Sequence, residues 1–443
     1  MQQNKTASQQ KTITPVYWVP TAYFAMGLPF IIVNLVSLLM FKNLGVSDTQ
    51  ITFWTSLLIL PWTLKFLWSP FLEMYRTKKF FVLFTELLSG VLFGVVAFSL
   101  MFDYFFAISI STMALIAFSG ATHDIACDGV YMAELNQVDQ AKYIGVQGAF
   151  YNIAKLVANG GLVALAGSLA EHFGAIKGAS VDMNKDAYSY AWMIIFVIIA
   201  IIMILLGLYH TKMLPSTQHP AVTNKKSVSE VMNETYIVIK NFFTKKHIYY
   251  YIAFILLYRL AEGFIMKVAP LFLQASKAEG GLELSLTTIG TLNGIFGSAA
   301  FVIGSLLSGI YIAKIGLKKT LFPLCCVFNL PFVAYTFLAV TQPDNFYLIG
   351  TCITMEYFGY GFGFVGLTLF MMQQVAPGKH QMAHYAFASA IMNLGVMLPG
   401  MISGYISDKY GYEKFFIYAL IAAIPALLIT YFIPFTYDDS KNK

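Results

Sequence analysis

Apolar runs about 20 residues long, each able to cross a hydrocarbon core of roughly 30 Å, follow one another along the whole chain. The plan of those runs is written twice. Leu72 through Lys79 is answered by Ile312 through Lys319 at an offset of 240, and Gly167 through Gly174 by Gly404 through Gly411 at an offset of 237. Near-equal offsets mean that both halves carry one helix plan with little insertion. Membrane bundles related by such a repeat usually enclose a solute path between them.

The runs fall near 16–41, 49–72, 80–101, 105–133, 143–169, 188–209, 248–274, 286–312, 320–341, 345–374, 381–406 and 414–434. The expected fold is therefore all-α, a polytopic membrane protein of about 12 helices in two six-helix bundles, 1–209 and 248–443. The polar stretch 210–247 between them reads as a cytoplasmic linker, in which Val228–Lys240 forms either a plain connection or a short surface helix. Only 11% of the 443 residues are charged, against about 25% in soluble proteins, so no soluble domain is expected.

The net charge of +6 does not call for nucleic acid, because its placement follows the positive-inside rule. With the N-terminus inside, 18 of the 28 Lys and Arg fall on cytoplasmic segments and six outside. Both termini are expected in the cytoplasm. The polar first 15 residues lead into a full span, so a cleavable signal is not expected. Cys127, Cys325, Cys326 and Cys352 lie within spans and read as packing residues, with neither disulfide nor metal spacing. No cofactor is expected. The run Gly359 through Gly363 lacks the preceding strand of a nucleotide fingerprint, and no phosphate-binding loop of an ATP motor is present.

An ionisable side chain at mid-membrane costs about 2.5–3.5 kcal/mol, so each must face a partner or water. The candidates are Lys65, Glu86, Asp124, Asp128, Lys155, Arg259, Glu262, Lys267 and Glu356. Asp124 and Asp128 stand at i and i+4, with Tyr131 a turn further on the same face. Two carboxylates so close repel each other, which makes the pair a proton site if it faces a cavity. The alternative is a structural ion pair or helix-packing polar patch with Lys65.

Arg259 and Glu262, at i and i+3, form either a static pair or a gate. Asn152, Lys155 and Asn159 make a polar stripe beside Tyr151, suited to a sugar or carboxylate and equally to helix–helix hydrogen bonding. Trp62 or Tyr131 can stack on sugar rings. Glu356 is expected near the outer surface; Glu86 and Lys267 carry less weight, and His123 and His384 read as packing or hydrogen-bonding residues.

Two six-helix halves, each with a basic loop after its second span, resemble the major facilitator superfamily. The second loop keeps Gly309, Lys314, Gly316, Lys318 and Lys319 of the family's signature, with Ala313 in place of the acid. The first keeps Arg76, Lys78 and Lys79, with Glu73 for Asp and Thr77 for Gly. The resemblance implies that these loops are gating latches, each missing a part.

Within the superfamily the sequence is similar to AmpG-type muropeptide permeases and their acetyl-CoA-transporter relatives. The similarity is carried by Tyr23 through Pro29, Leu60 through Pro70, Asp124 through Asp128 and Leu257 through Glu262. That resemblance implies a proton-driven symporter of anhydro-muramyl sugars, often peptide-bearing, in a bacterial inner membrane. It maps function onto Lys65, Asp124, Asp128, Arg259 and Glu262, although Arg259–Glu262 stands where a Lys–Asp type pair is expected. The implied partners are a small-molecule solute, protons and lipid, with a monomeric protein and no enzymatic activity.

Other readings stay open. Another sugar or acidic oligosaccharide would suit the same residues. Asp124 and Asp128 look like half of an intramembrane transferase's metal motif, but the equivalent residues of the second half are Phe362 and Gly366. A non-transporting sensor would need an output domain of some size, and only 210–247 is available.

Overall fold

The computed structural model describes residues 13–69, 72, 76–176, 179–215 and 228–437; Glu73 of the first basic loop lies outside them. Among the described residues the chain is almost wholly helical and has no strand. Twelve helices follow the expected plan. They are α1 (19–43), α2 (48–67), α3 (Lys78–Ser99), α4 (Phe105–Glu134), α5 (137–172) and α6 (Val181–Met213), then α7 (248–274), α8 (Leu286–Ile315), α9 (Leu317–Thr341), α10 (Phe346–Phe370), α11 (381–410) and α12 (412–431). A linker helix, Val228–Phe243, precedes α7 and packs Phe242 against His384 and Phe387 of α11.

Among the described residues eight helical stretches are long and apolar enough to cross a membrane by themselves. One of them, Gln381–Tyr431, is α11 and α12 joined at Gly411, whose φ of 79° breaks the helix. The remaining three, α2, α7 and α10, contain Lys65, Arg259 with Glu262, and Glu356 respectively. Lys65 opens a 3-10 turn, Lys65–Leu67, and Arg259 ends one helix and starts the next. Such irregular backbone survives at membrane depth where it is buried in protein or borders water.

The repeat is visible in the turns. Ser47 and Ser285 cap the N-termini of α2 and α8 through the amides of Gln50 and Thr288. Gly174 and Gly411, equivalent in the duplicated run, both take positive φ, 95° and 79°, where a side chain would be strained.

One end of the molecule is closed by contacts between the halves. A Cβ on Gly294 of α8 would lie 2.1 Å from Gly160 Cα of α5, and one on Gly404 of α11 would lie 2.1 Å from the Asp48 carbonyl of α2. Only glycine permits approaches this close. Asp408 of α11 accepts from the amide and hydroxyl of Thr49 at 2.9 and 2.6 Å. Asp48 pairs with Lys42 at 3.0 Å and accepts from Tyr412 at 2.6 Å. Toward the other end α5 and α8 part, and a Cβ on Gly145, Gly148 or Gly309 would meet nothing within 4 Å. There α2 and α11 still touch, Phe66 lying edge-on to Phe387 at 4.8 Å.

Replacing Gly294 by Val should prevent closure. In a chain whose native cysteines are removed, a cysteine at Thr287 should then label with an impermeant thiol reagent about tenfold faster. Unchanged labelling would show that the glycine contact does not hold this end shut.

Candidate functional site

A central cavity of about 460 Å³ lies between the halves, with walls from α1, α2, α5, α7, α8, α9, α10 and α11. Its ionisable lining is Lys155 from α5, Arg259 and Glu262 from α7, and Glu356 from α10. Asn34, Asn152, Asn159, Asn293 and Asn393 add neutral polar groups. Glu356 is therefore not at an outer surface as the sequence suggested. It stands ten residues into α10, deep enough in the helix to reach the cavity.

Arg259 and Glu262 form a forked pair: Nε donates to Oε2 at 2.6 Å, and Nη2 contacts Oε1 in parallel. The guanidinium also stacks on Phe364 at 5.4 Å. Both residues are buried, so each neutralises the other. The Lys155 ammonium faces the rings of Phe301, Tyr357 and Tyr360 at 5.0, 5.5 and 5.9 Å. Among the described residues it has no carboxylate within ion-pair distance. An aromatic cage stabilises such a cation by about 0.5–2 kcal/mol and leaves its hydrogen-bonding capacity free for an anion.

The second group of predicted residues lies outside the cavity lining. Lys65 Nζ is 3.3 Å from Asp124 Oδ2, and the other Asp124 oxygen is buried, with the Trp62 indole turned to this carboxylate. Asp128 accepts from the Tyr23 hydroxyl at 2.8 Å and faces Gln147 Nε2 at 3.5 Å. The Lys65 side chain is 37% exposed, so this cluster meets water at one edge. Trp62 and Tyr131, expected to stack on a solute, are placed elsewhere. Trp62 packs edge-on behind the cavity residue Phe30 at 5.0 Å, and Tyr131 lies between Trp18 and Tyr23 with its hydroxyl on the Gln140 carbonyl at 2.6 Å. Asn152 does line the cavity, with Nδ2 bonded to the Gly148 carbonyl at 2.8 Å.

In the first basic loop Lys79 donates to the Thr211 and Leu214 carbonyls at the end of α6, at 2.9 and 2.7 Å. Lys78 packs over Gly129 of α4, and Arg76 stacks on Phe80 at 5.6 Å. In the second loop Gly316 takes φ 94°, while Lys314, Lys318 and Lys319 are exposed.

Sequence reasoning gave little weight to two further buried groups. Glu86 of α3 holds His210 of α6 at 2.8 and 2.9 Å, and His210 in turn meets the Thr21 hydroxyl at 2.8 Å. Lys267 of α7 is fully buried, with backbone carbonyls of α1 and α2 as its acceptors. Nor was the closing network of Lys42, Asp48, Thr49, Asp408 and Tyr412 foreseen, although Asp408 lies inside the duplicated run.

The geometry, a cavity between two repeated halves closed at one end, matches what the comparisons return. An anhydromuropeptide permease of Escherichia coli K12 is 23% identical over 418 residues, covering 92% of this chain and 77% of that protein. An uncharacterized protein of Haemophilus influenzae is 23% identical over 404 residues, covering 87% and 86%. Among solved structures, a D-xylose–proton symporter superposes with TM-score 0.69 at 11% identity, covering 96% of this chain and 99% of that one. An inward-facing, occupied bacterial homologue of the lysosomal transporter Spinster gives 0.68 at 13% identity, covering 94% and 97%. The model of the Major Facilitator Superfamily matches residues 21–398 and 282–443. Asp124 and Asp128 thus belong to a transporter scaffold and not to a transferase, and the chain is a member of the Major Facilitator Superfamily.

Proposed function

We propose that the protein is a proton-coupled symporter that imports an anhydro-muramyl sugar or muropeptide across the bacterial inner membrane by alternating access. The observation that carries this reading is the caged Lys155, with no carboxylate within ion-pair distance among the described residues, in a cavity otherwise lined by amides, aromatic rings, Glu356 and a self-neutralised pair. A muropeptide offers the complement: a carboxylate for Lys155, sugar faces for Tyr357 and Tyr360, and hydroxyl and amide groups for the asparagines. The name of the Escherichia coli relative points the same way. Another acidic sugar would satisfy the same cavity, and competition against labelled disaccharide separates the two.

With both termini cytoplasmic, the closed end faces outward and this conformation opens inward. Asp124, Asp128 and Lys65 carry the proton. Protonation of either aspartate weakens the attraction for Lys65 across the α2–α4 contact within the first half, and α2, packed on α11 through Phe66 and Phe387, carries the change to the interface between the halves. The basic loops, Arg76, Lys78 and Lys79 in one copy and Lys314, Gly316, Lys318 and Lys319 in the other, are the gating elements of the inward end. The protein acts as a monomer, one cavity per chain.

Proteoliposomes under an inward proton gradient should accumulate radiolabelled GlcNAc-anhydro-MurNAc, and Asp128→Asn should abolish the accumulation. Accumulation that survives this substitution would remove Asp128 from the coupling site. Lys155→Gln should raise KM about 30-fold, the effect of leaving a buried charge unmatched. An unchanged KM would mean that the carboxylate is met elsewhere.

The Arg259–Glu262 pair predicts a stability effect. Glu262→Leu alone should lose about 3 kcal/mol by stranding the guanidinium, whereas adding Arg259→Met should recover most of it. Detergent-solubilised unfolding temperatures read both, and a single variant as stable as the parent would contradict the pairing.

A further inference from the structure

Asn34 combines features that the ion chemistry does not use. It lies in a π-helical turn of α1, Ile32–Val36, and its residue lines the cavity. Single π-turns within helices cluster at functional sites. Its Nδ2 donates to the Phe30 carbonyl at 2.9 Å, which fixes the amide so that Oδ1 is the remaining acceptor. That oxygen is buried and has no donor among the described residues. Asn293, in the π-helical turn Gly290–Gly297 of α8, repeats the arrangement from the other half: it lines the cavity and its amide oxygen is buried without a partner.

A buried acceptor left without a donor is unfavourable, and a native fold retains one where something else supplies the donor. The backbone behind Asn34 is held from the opposite half. Lys267 of α7, fully buried, donates to the Asn34 carbonyl at 3.3 Å and to the Thr55 carbonyl and hydroxyl at 3.2 and 3.4 Å. No carboxylate meets this ammonium among the described residues. Its work is to fix two stretches of backbone, one of them the turn that presents Asn34.

We infer that Asn34 is a specificity residue that accepts a hydrogen bond from a neutral N–H or O–H group of the solute, and that Lys267 is the positioning residue that holds it. The inference rests on the cavity being the solute site and names the group read there, an amide or hydroxyl as an acetamido sugar carries. It complements Lys155, which reads charge. A site built to take a donor rejects an analogue lacking it far more strongly than an apolar pocket rejects a change of shape.

The test uses the full chain in nanodiscs and two probes, GlcNAc-anhydro-MurNAc and its counterpart in which ester oxygens replace the acetamido N–H groups. Calorimetry should give at least about tenfold tighter binding of the acetamido probe. In Asn34→Leu the ratio should fall to about one, and in Asn34→Ser, a smaller change that tolerates misfolding of the first, it should fall in the same direction. Lys267→Met should lower the ratio while Lys267→Arg, still able to donate to both carbonyls, retains it; a merely structural lysine would alter stability and leave the ratio alone. Equal binding of both probes by the parent, or a ratio that persists in the Asn34 variants, would overturn the inference. Binding of neither probe would instead remove the solute class on which it depends, and the inference with it.

Discussion

A charge inside a hydrocarbon slab must find a counter-charge, a polar backbone group or water, and the layout of this molecule follows from how each buried ion meets that demand. Arg259 and Glu262 meet it with each other. Lys267 meets it with backbone carbonyls from the opposite half, and Glu86 with an imidazole. Lys155 meets it only in part, with aromatic faces, and Asp124 meets it with the partly exposed Lys65 at 3.3 Å and the Trp62 indole. The first group are satisfied, and of these Lys267 and Glu86 tie helices together. The second lie at the cavity or beside the partly exposed Lys65, where a solute or a proton can reach them.

The second constraint is steric. The halves close at one end because small residues face one another there: Gly160 on Gly294, Gly404 on the α2 backbone. Lipid tails are as apolar as the side chains, so close packing and hydrogen bonds, not burial, hold such a contact. Of the polar contacts over it, Thr49 to Asp408 is exposed enough to exchange for water, and the buried Asp48 carboxylate is held by Tyr412 and by the partly exposed Lys42. Asp48 keeps Lys42 of its own half when the halves part, so the closure can open without stranding an ion, which alternating access requires.

The fold was legible because the hydrophobic pattern and the repeat state it directly: twelve runs, two equivalent basic loops and two equivalent glycine turns, Gly174 and Gly411. The charged cavity lining was legible in identity but not in depth. Glu356 looked peripheral although the run near 345–374 starts within one residue of the observed helix at Phe346, because a run of apolar residues does not say which face meets a cavity. Tyr131 shares the helix of Asp124 and Asp128, yet its ring is spent on Trp18 and Tyr23, contacts between α1 and α4 that no local spacing reveals. Asn34 is an ordinary letter in an apolar run, and Lys267 stands out in the sequence as a buried charge without a visible partner. Only the π-turn and the crossing of α7 over α1 and α2 give them meaning.

Alternation of a single cavity is the central claim, and pulsed dipolar spectroscopy on two spin-label pairs tests it most directly. One pair replaces Gly145 and Gly309 at the splayed end, where neither has a neighbour to displace. The other takes positions 176 and 283, in the loops of the closed end. Adding GlcNAc-anhydro-MurNAc at acidic pH should populate a state in which the first distance shortens as the second lengthens. Distances that stay fixed, or that change in the same direction, would contradict a transporter that rocks around this site.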